Sequence, residues 1–160
     1  MKQLNNPIIL FDIDYTLFDT ALFKQSNLTQ YSLYPEVSNI LNKLVNQAIL
    51  GILSEGEKET QQNKLIKTKI YHIFNKDHIH ITSDKQKLIQ TISENYKDKS
   101  LIIIDDKLPI LPLAKKYIPH AFTIWIKRGE YAKNQKPLPG FTPDATMESL
   151  STNFLEFYMS

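Results

Sequence analysis

The sequence has no cysteine, only four glycines, and no long apolar run. The absence of cysteine excludes disulfides, thiolate nucleophiles and metal sites with cysteine ligands. No apolar stretch approaches the ~20 residues that a membrane-spanning helix needs. The apolar run near the N-terminus ends in Asp12 and lacks the pattern of a secretion signal. We therefore expect a cytoplasmic protein with no membrane partner.

Neither sign of charge predominates: the sequence has 19 Lys and Arg residues and 17 Asp and Glu residues, which gives a formal net charge of +2. No basic stripe of the kind found in nucleic-acid-binding proteins is present, so a nucleic-acid partner is not indicated. A length of 160 residues with 42% hydrophobic residues suits one domain with a sizeable core.

Strand-like and helix-like segments alternate along the chain. Buried-strand patterns occupy 8–11, 48–53, 78–82, 101–104 and 121–126. Helical patterns occupy 35–47, 57–70, a segment after Ser83 or Asp84, 111–117 and 147–158. Strands separated by helices predict a three-layer α/β/α Rossmann-like fold with a parallel sheet of five or more strands. With no repeat or linker in sight, we expect a single domain over 1–160.

Polar residues follow most of these strands at the point where each strand ends. They are Asp12 and Asp14, Ser54 and Glu55, Lys85, and Asp105 and Asp106. Because the carboxyl ends of parallel strands share one edge of the sheet, these side chains should converge. Two close acids repel each other unless a cation, a proton or a substrate charge offsets them, so the cluster indicates a site.

Each residue type has a task in phosphoryl transfer. A carboxylate can attack phosphorus and form an acyl phosphate, and a second acid can protonate the leaving alkoxide and then activate water. A hydroxyl and a lysine ammonium can hold the phosphoryl oxygens. Further carboxylates supply the oxygen ligands that Mg²⁺ prefers.

Residues 12–17, DIDYTL, resemble the DxDx[T/V][L/V] motif of the haloacid dehalogenase (HAD) superfamily of aspartate-nucleophile phosphohydrolases. The resemblance extends over nearly the whole chain and implies a HAD-like fold. It implies that Asp12 is the nucleophile and Asp14 the general acid/base, and that Asp12 and the backbone carbonyl of Asp14 contact the metal ion.

Residues 53–56 are similar to the second motif of that family, which implies that Ser54 and Glu55 belong to the phosphate-binding loop, with Ser54 supplying the hydroxyl. The third motif is only a lysine before a helix: Lys85 fits it best, and Lys87 is the alternative.

Residues 104–106 are similar to the acidic fourth motif. The resemblance implies that Asp106 is a metal ligand and that Asp105 is a second ligand or acts through water. Many members carry another acid four residues after the metal aspartate, where this chain has Ile110, and glycine is absent before that aspartate. We interpret these departures as a change of subtype.

The intervals between the motifs are short. Residues 18–34 fall well below the ~50 residues of a minimal independent domain, so we expect a small flap or minimal cap there. An open site suits a phosphorylated small molecule or an exposed macromolecular phosphate, and a second subunit of a homo-oligomer could close it.

These patterns predict a Mg²⁺-dependent phosphomonoester hydrolase that acts through an aspartyl phosphate. A phosphotransferase or another HAD-type hydrolase, such as a dehalogenase, is the alternative, although dehalogenation leaves Asp14 without a leaving alkoxide to protonate. A non-catalytic phospho-signalling or binding module is a third reading. Receiver domains also combine these residue types, but their acidic pair comes first in the chain, whereas here it comes last.

Overall fold

In the computed structural model, which describes residues 6–159, one parallel sheet of six strands forms the centre of the molecule. The strands are β1 (Ile8–Phe11), β2 (Ile49–Glu55), β3 (Ile79–Thr82), β4 (Leu101–Asp105), β5 (Phe122–Ile126) and β6 (Ala145–Met147). Their spatial order is β3-β2-β1-β4-β5-β6, and every neighbouring pair is parallel. The predicted Rossmann-like α/β fold is confirmed.

Seven α-helices and two short 3₁₀ helices connect and cover the strands in the described part of the chain. The α-helices are α1 (Thr20–Gln25), α2 (Val37–Leu44), α3 (Lys58–Lys67), α4 (Lys85–Tyr96), α5 (Ile110–Tyr117), α6 (Gly129–Asn134) and α7 (Asn153–Met159). The 3₁₀ helices are Tyr71–Ile73 and Lys76–His78. None of the helices in residues 6–159 has the length and apolar character to cross a bilayer.

The central strand β1 shows why the sheet needs a layer on each face. Ile9 and Phe11 belong to one buried cluster, and Ile8 and Leu10 belong to a second. Successive side chains of a strand point to opposite faces, so an uninterrupted apolar run is a strand buried on both sides.

Neither α6 nor β6 was predicted. Both lie in the stretch after the fifth predicted strand, β6 ends at the residue where the closing helix was expected to begin, and that helix begins only at Asn153. β6 has three residues, too few for a visible alternation, and a tertiary contact fixes it: the Asp144 carboxylate accepts hydrogen bonds from the Thr123 backbone N–H (2.8 Å) and hydroxyl (3.1 Å).

Residues 18–34, the predicted flap, form a segment between β1 and α2 that contains α1. A bridge pairs Phe18 with Leu33, and the Asp19 backbone N–H donates to the Ser32 carbonyl at 2.9 Å. The Asp19 carboxylate also caps α1 by accepting the Leu22 N–H at 3.1 Å. The two ends of this segment are therefore held together. Its action as a cap stays a prediction.

Candidate active site

Three buried carboxylates meet at the carboxyl edge of the two central strands. Asp12 follows β1, Asp105 ends β4, and Asp106 comes next; they are 6%, 1% and 1% exposed. One oxygen from each lies within 4.8 Å of the others. The register of β1 and β4 explains this convergence. Phe11 pairs with Ile104, so the residues that follow them lie at the same level along the two strands.

Lys85 is the cation of this cluster. Its side chain is 1% exposed, and its Nζ donates to Asp12 Oδ1 at 3.1 Å and to Asp105 Oδ2 at 2.5 Å. Burial alone would lower the pKa of Lys85, but Asp105 and Asp12 raise it well above its usual value, so the ammonium stays charged. Lys87 is exposed, and its backbone N–H donates to the helix-capping Asp84. The geometry therefore brings Lys85, the preferred candidate, to the carboxylates.

Asp106 is the least compensated member. Neither of its carboxylate oxygens has a hydrogen-bond partner among the described residues, while Trp125 Nε1 donates to its backbone carbonyl at 2.9 Å. Burial, Asp12 and Asp105 together raise the pKa of Asp106 to about 10. Burial also raises the pKa of Asp105, although Lys85 opposes this. A proton or a further cation is needed here.

This donor set fits Mg²⁺. The ion takes hard oxygen ligands, usually one or two carboxylates together with water and substrate oxygens. Asp12, Asp105 and Asp106 provide three carboxylates against the single charge of Lys85, and the free oxygens of Asp106 are ligand atoms without another partner. The predicted metal contact of Asp14 differs in kind, since it would use a backbone carbonyl, and it stays a prediction.

The Asp14 carboxylate lies outside the three-acid cluster. Its Oδ1 accepts hydrogen bonds from Thr20 Oγ1 and Lys64 Nζ, both at 2.8 Å, and its Oδ2 accepts one from Gln61 Nε2 at 2.9 Å. Burial alone would raise the pKa of Asp14, but Lys64 and these hydrogen bonds hold it below its usual value. Asp14 and Asp12 are thus in different electrostatic surroundings, which suits two different tasks.

Ser54 and Glu55 are the last two residues of β2 and so belong to the strand, not to the loop that follows it. Ser54 is fully buried, and its hydroxyl accepts a hydrogen bond from Gln61 Nε2 at 2.8 Å. Glu55 is exposed and lines the cavity above the carboxylates. The predicted phosphate-binding role of both residues stays a prediction.

Sequence reasoning missed Gln61 and Lys64. Both are buried, and Lys64 Nζ also donates to Gln61 Oε1 at 2.7 Å. A signal was present: Gln61, Lys64 and Leu65 have the i, i+3, i+4 spacing of a core-facing helix stripe, although two of the three are polar. Buried polar side chains need partners, and this pair finds its partners at the site.

A cavity of about 440 Å³ opens above these groups. Asp12, Lys85 and Asp106 line it, Phe23 of α1 contributes an apolar wall, and Lys107 lies at its side. Its size is in the range of ligand sites for small molecules. Eight of its thirteen lining residues are charged, four of them acidic and four of them lysines, which suits a charged ligand better than an apolar one.

Comparison with known sequences gives no assignment: no protein-family model and no curated protein matches the chain. Solved structures do match. A haloacid dehalogenase-like hydrolase from Burkholderia xenovorans has a TM-score of 0.74 at 21% identity, and the match covers 91% of this chain and 93% of the other. A HAD-hydrolase from Bacillus subtilis, solved with magnesium, has a TM-score of 0.68 at 14% identity, covering 97% and 98% of the two chains.

A structure from Haemophilus somnus described as a predicted phosphoglycolate phosphatase has a TM-score of 0.69 at 15% identity, covering 95% of this chain and 97% of the other. The matched structures also include an L-2-haloacid dehalogenase. The chain therefore has the fold of HAD-like hydrolases, as its motifs indicate, and proteins with that fold carry more than one activity.

Proposed function

We propose that this protein is a Mg²⁺-dependent phosphomonoester hydrolase that acts through an aspartyl phosphate on Asp12. The observation that carries the proposal is the buried group of Asp12, Asp105 and Asp106 around Lys85, with Asp14 held separately beside it. One carboxylate is available to attack, and another is available to move protons.

In the first step, an Asp12 carboxylate oxygen forms a bond to phosphorus, and the ester P–O bond breaks. Lys85 orients Asp12 through its hydrogen bond at 3.1 Å and offers positive charge to the phosphoryl oxygens. Asp14 donates its proton to the leaving oxygen. A phosphoryl dianion in the cavity favours the protonated form of Asp14, because like charges repel.

In the second step, Asp14 takes a proton from water, whose oxygen attacks the phosphorus of the aspartyl phosphate. The bond from phosphorus to Asp12 breaks, and phosphate leaves. Lys64 supports this role, because an ammonium 2.8 Å from Asp14 Oδ1 stabilises the ionised carboxylate that acts as the base.

Asp12, Asp105 and Asp106 would hold Mg²⁺, with the Asp14 backbone carbonyl as the further ligand that the resemblance implies. When bound, the ion neutralises charge on the phosphoryl oxygens and on the carboxylates around them.

The test is release of p-nitrophenol from p-nitrophenyl phosphate with Mg²⁺ and with EDTA. We expect turnover only with Mg²⁺ and none from Asp12→Asn, since an amide is not a competent nucleophile. Asp98→Asn removes one exposed carboxylate and should retain full activity. A fully active Asp12→Asn variant would overturn the mechanism. Chloride release from 2-chloropropionate without phosphatase activity would assign the chain to dehalogenation instead.

A further inference from the structure

A second cavity of about 630 Å³ adjoins the one above the carboxylates. The two cavities share three lining residues, Tyr15, Lys24 and Tyr131, so these residues stand at the junction. The phosphoryl chemistry proposed above uses none of them. Neither Asp14 nor any of the three clustered carboxylates lines the second cavity, so it is free to take the leaving group of a phosphomonoester bound at Asp12.

Tyr15 is held at this junction by the backbone of α6. Its own φ is +60°, a left-handed conformation that is uncommon for a non-glycine residue, and it directs the chain just after Asp14. Its ring packs on Gly129, where a Cβ atom would lie 2.3 Å from Tyr15 Cδ1. Glycine at the start of α6 thus allows the ring to approach and ties it to the helix that carries Tyr131.

Tyr131 lies next to Lys107. Its side chain is 53% exposed, and Lys107 Nζ lies 5.6 Å from its ring centroid. The Lys107 backbone N–H donates to Asp105 Oδ1 at 2.9 Å, so the lysine beside the ring is anchored to the carboxylate cluster. An aromatic side chain left half exposed at the mouth of a cleft is surface available for stacking.

Beyond the two rings, the lining of the second cavity is polar, with two lysines and one acid. Asn134, Gln135 and Lys136 line it together with Lys24, and Glu130 is the acid in this lining. The Asn134 and Gln135 carboxamides carry hydrogen-bond donors and acceptors that can pair with the edge of a nitrogen heterocycle. Gln135 Nε2 also donates to the Lys136 carbonyl at 2.8 Å, which leaves its carbonyl oxygen as an acceptor.

We propose that the substrate is a nucleoside monophosphate, with its phosphate at Asp12 and its base against Tyr15 and Tyr131. This inference rests on the proposed function and adds its substrate class. A mononucleotide suits the site better than the end of a nucleic acid strand. The chain has a net charge of only +2, and the second cavity lacks the row of cations that would follow a phosphate backbone.

The test compares adenosine 5′-monophosphate with ribose 5-phosphate, which presents the same phosphate ester without a base. Stacking on an aromatic side chain should raise kcat/KM for the nucleotide about 10- to 100-fold over the sugar phosphate. Equal values for the two substrates would overturn the inference while leaving the phosphatase proposal intact. A 5′-phosphorylated dinucleotide turned over much faster than the mononucleotide would overturn it in favour of a nucleic acid end.

Variants localise the effect. Tyr131→Ala should lower the ratio of the two kcat/KM values towards one, whereas Tyr131→Phe keeps the ring and should keep the ratio. Phe157→Ala removes an exposed ring that lines neither cavity and should leave the ratio unchanged. A ratio unaffected by Tyr131→Ala would show that this ring does not hold the base and would overturn the proposed site.

Binding separates the two proposals. Titration calorimetry on the Asp12→Asn protein should give tighter binding for adenosine 5′-monophosphate than for ribose 5-phosphate, by a similar factor and without turnover. If that difference is found while the native protein hydrolyses neither compound, the phosphatase proposal fails and the nucleotide site stands. If binding shows no preference, the nucleotide site fails.

Discussion

Replacing Asp106 by Asn should stabilise the metal-free protein. Asp106 is 1% exposed and accepts no hydrogen bond from the described residues, and its neighbours Asp12 and Asp105 raise its pKa together with burial. Asn has nearly the same shape but no charge to bury. Asp106 must take up a proton when the chain folds, and Asn avoids that cost, so the substitution should favour the folded state.

The magnitude follows from the pKa. With a pKa of about 10 in the folded state against about 3.9 in the unfolded chain, the folded state holds more protons between these two pH values. Stability contributed by this group is present below the unfolded pKa and falls by about 1.4 kcal/mol per pH unit as the pH rises towards the folded pKa. At pH 7 the deficit reaches about 4 kcal/mol, an upper limit for the gain from Asp106→Asn.

The assay is urea unfolding in EDTA at pH 5.5 and pH 8. The advantage of the variant over the native protein should grow by about 3 kcal/mol between the two values, because the native protein alone loses stability through this carboxyl group. Asp98→Asn, at an exposed position, should show no such growth. An advantage that stays constant with pH, or a variant less stable than the native protein at pH 8, would refute the reasoning.

Mg²⁺ should reduce the advantage of the Asp106→Asn variant. An ion that binds only the folded state at a concentration 100 times its Kd adds about 2.7 kcal/mol to stability. The native protein should gain this when the urea experiment is repeated with Mg²⁺ in place of EDTA, and Asp106→Asn should gain little, because it lacks a carboxylate ligand. An equal gain in both proteins would place the ion elsewhere.

Three other changes test neighbouring parts of the structure. Lys64→Met should move the acid limb of the kcat–pH profile to higher pH, because it removes the cation that lowers the pKa of Asp14; an unmoved limb would argue against that pairing. Lys85→Met should lower kcat at least about 100-fold, as loss of a charge-stabilising donor does, while Lys87→Met should not, and the reverse outcome would identify Lys87 as the functional lysine. Gly129→Ala should cost about 1–3 kcal/mol in urea unfolding, since its φ of +80° and the contact with the Tyr15 ring both disfavour a Cβ atom; an unchanged midpoint would contradict that packing.

The sequence predicted which residues converge where they lie at the ends of strands. Asp12 and Asp105 each follow or end a run of β-branched and aliphatic residues, and the rule that parallel strands end at one edge is enough to bring them together. Lys85 was preferred over Lys87 because it fits best the lysine before a helix that the family resemblance implies, and the structure places its ammonium beside Asp12 and Asp105. Its role in the site stays a prediction.

The parts that escaped prediction depend on contacts between distant segments. Lys64 is one lysine among several on a polar helix, and only the folding of the chain brings its ammonium to Asp14, 50 residues earlier in the sequence. Tyr131 lies on a six-residue helix whose pattern is too short to recognise. The predicted end of the second strand at Leu53 was two residues early, since Ser54 and Glu55 pair with Ile81 and Thr82 although neither is apolar.

The segment 18–34 has a consequence for protein engineering. Its two ends are joined by the Phe18–Leu33 bridge and the hydrogen bond from Asp19 to Ser32. These contacts fix the distance between the two ends, and they do not depend on the residues between them. Lengthening a closed loop costs little free energy, about 0.6 kcal/mol for each doubling. Exposed positions between the attachment points, such as Thr29 and Gln30, would therefore accept an inserted binding module, and occupancy of that module could be made to gate access to the cleft.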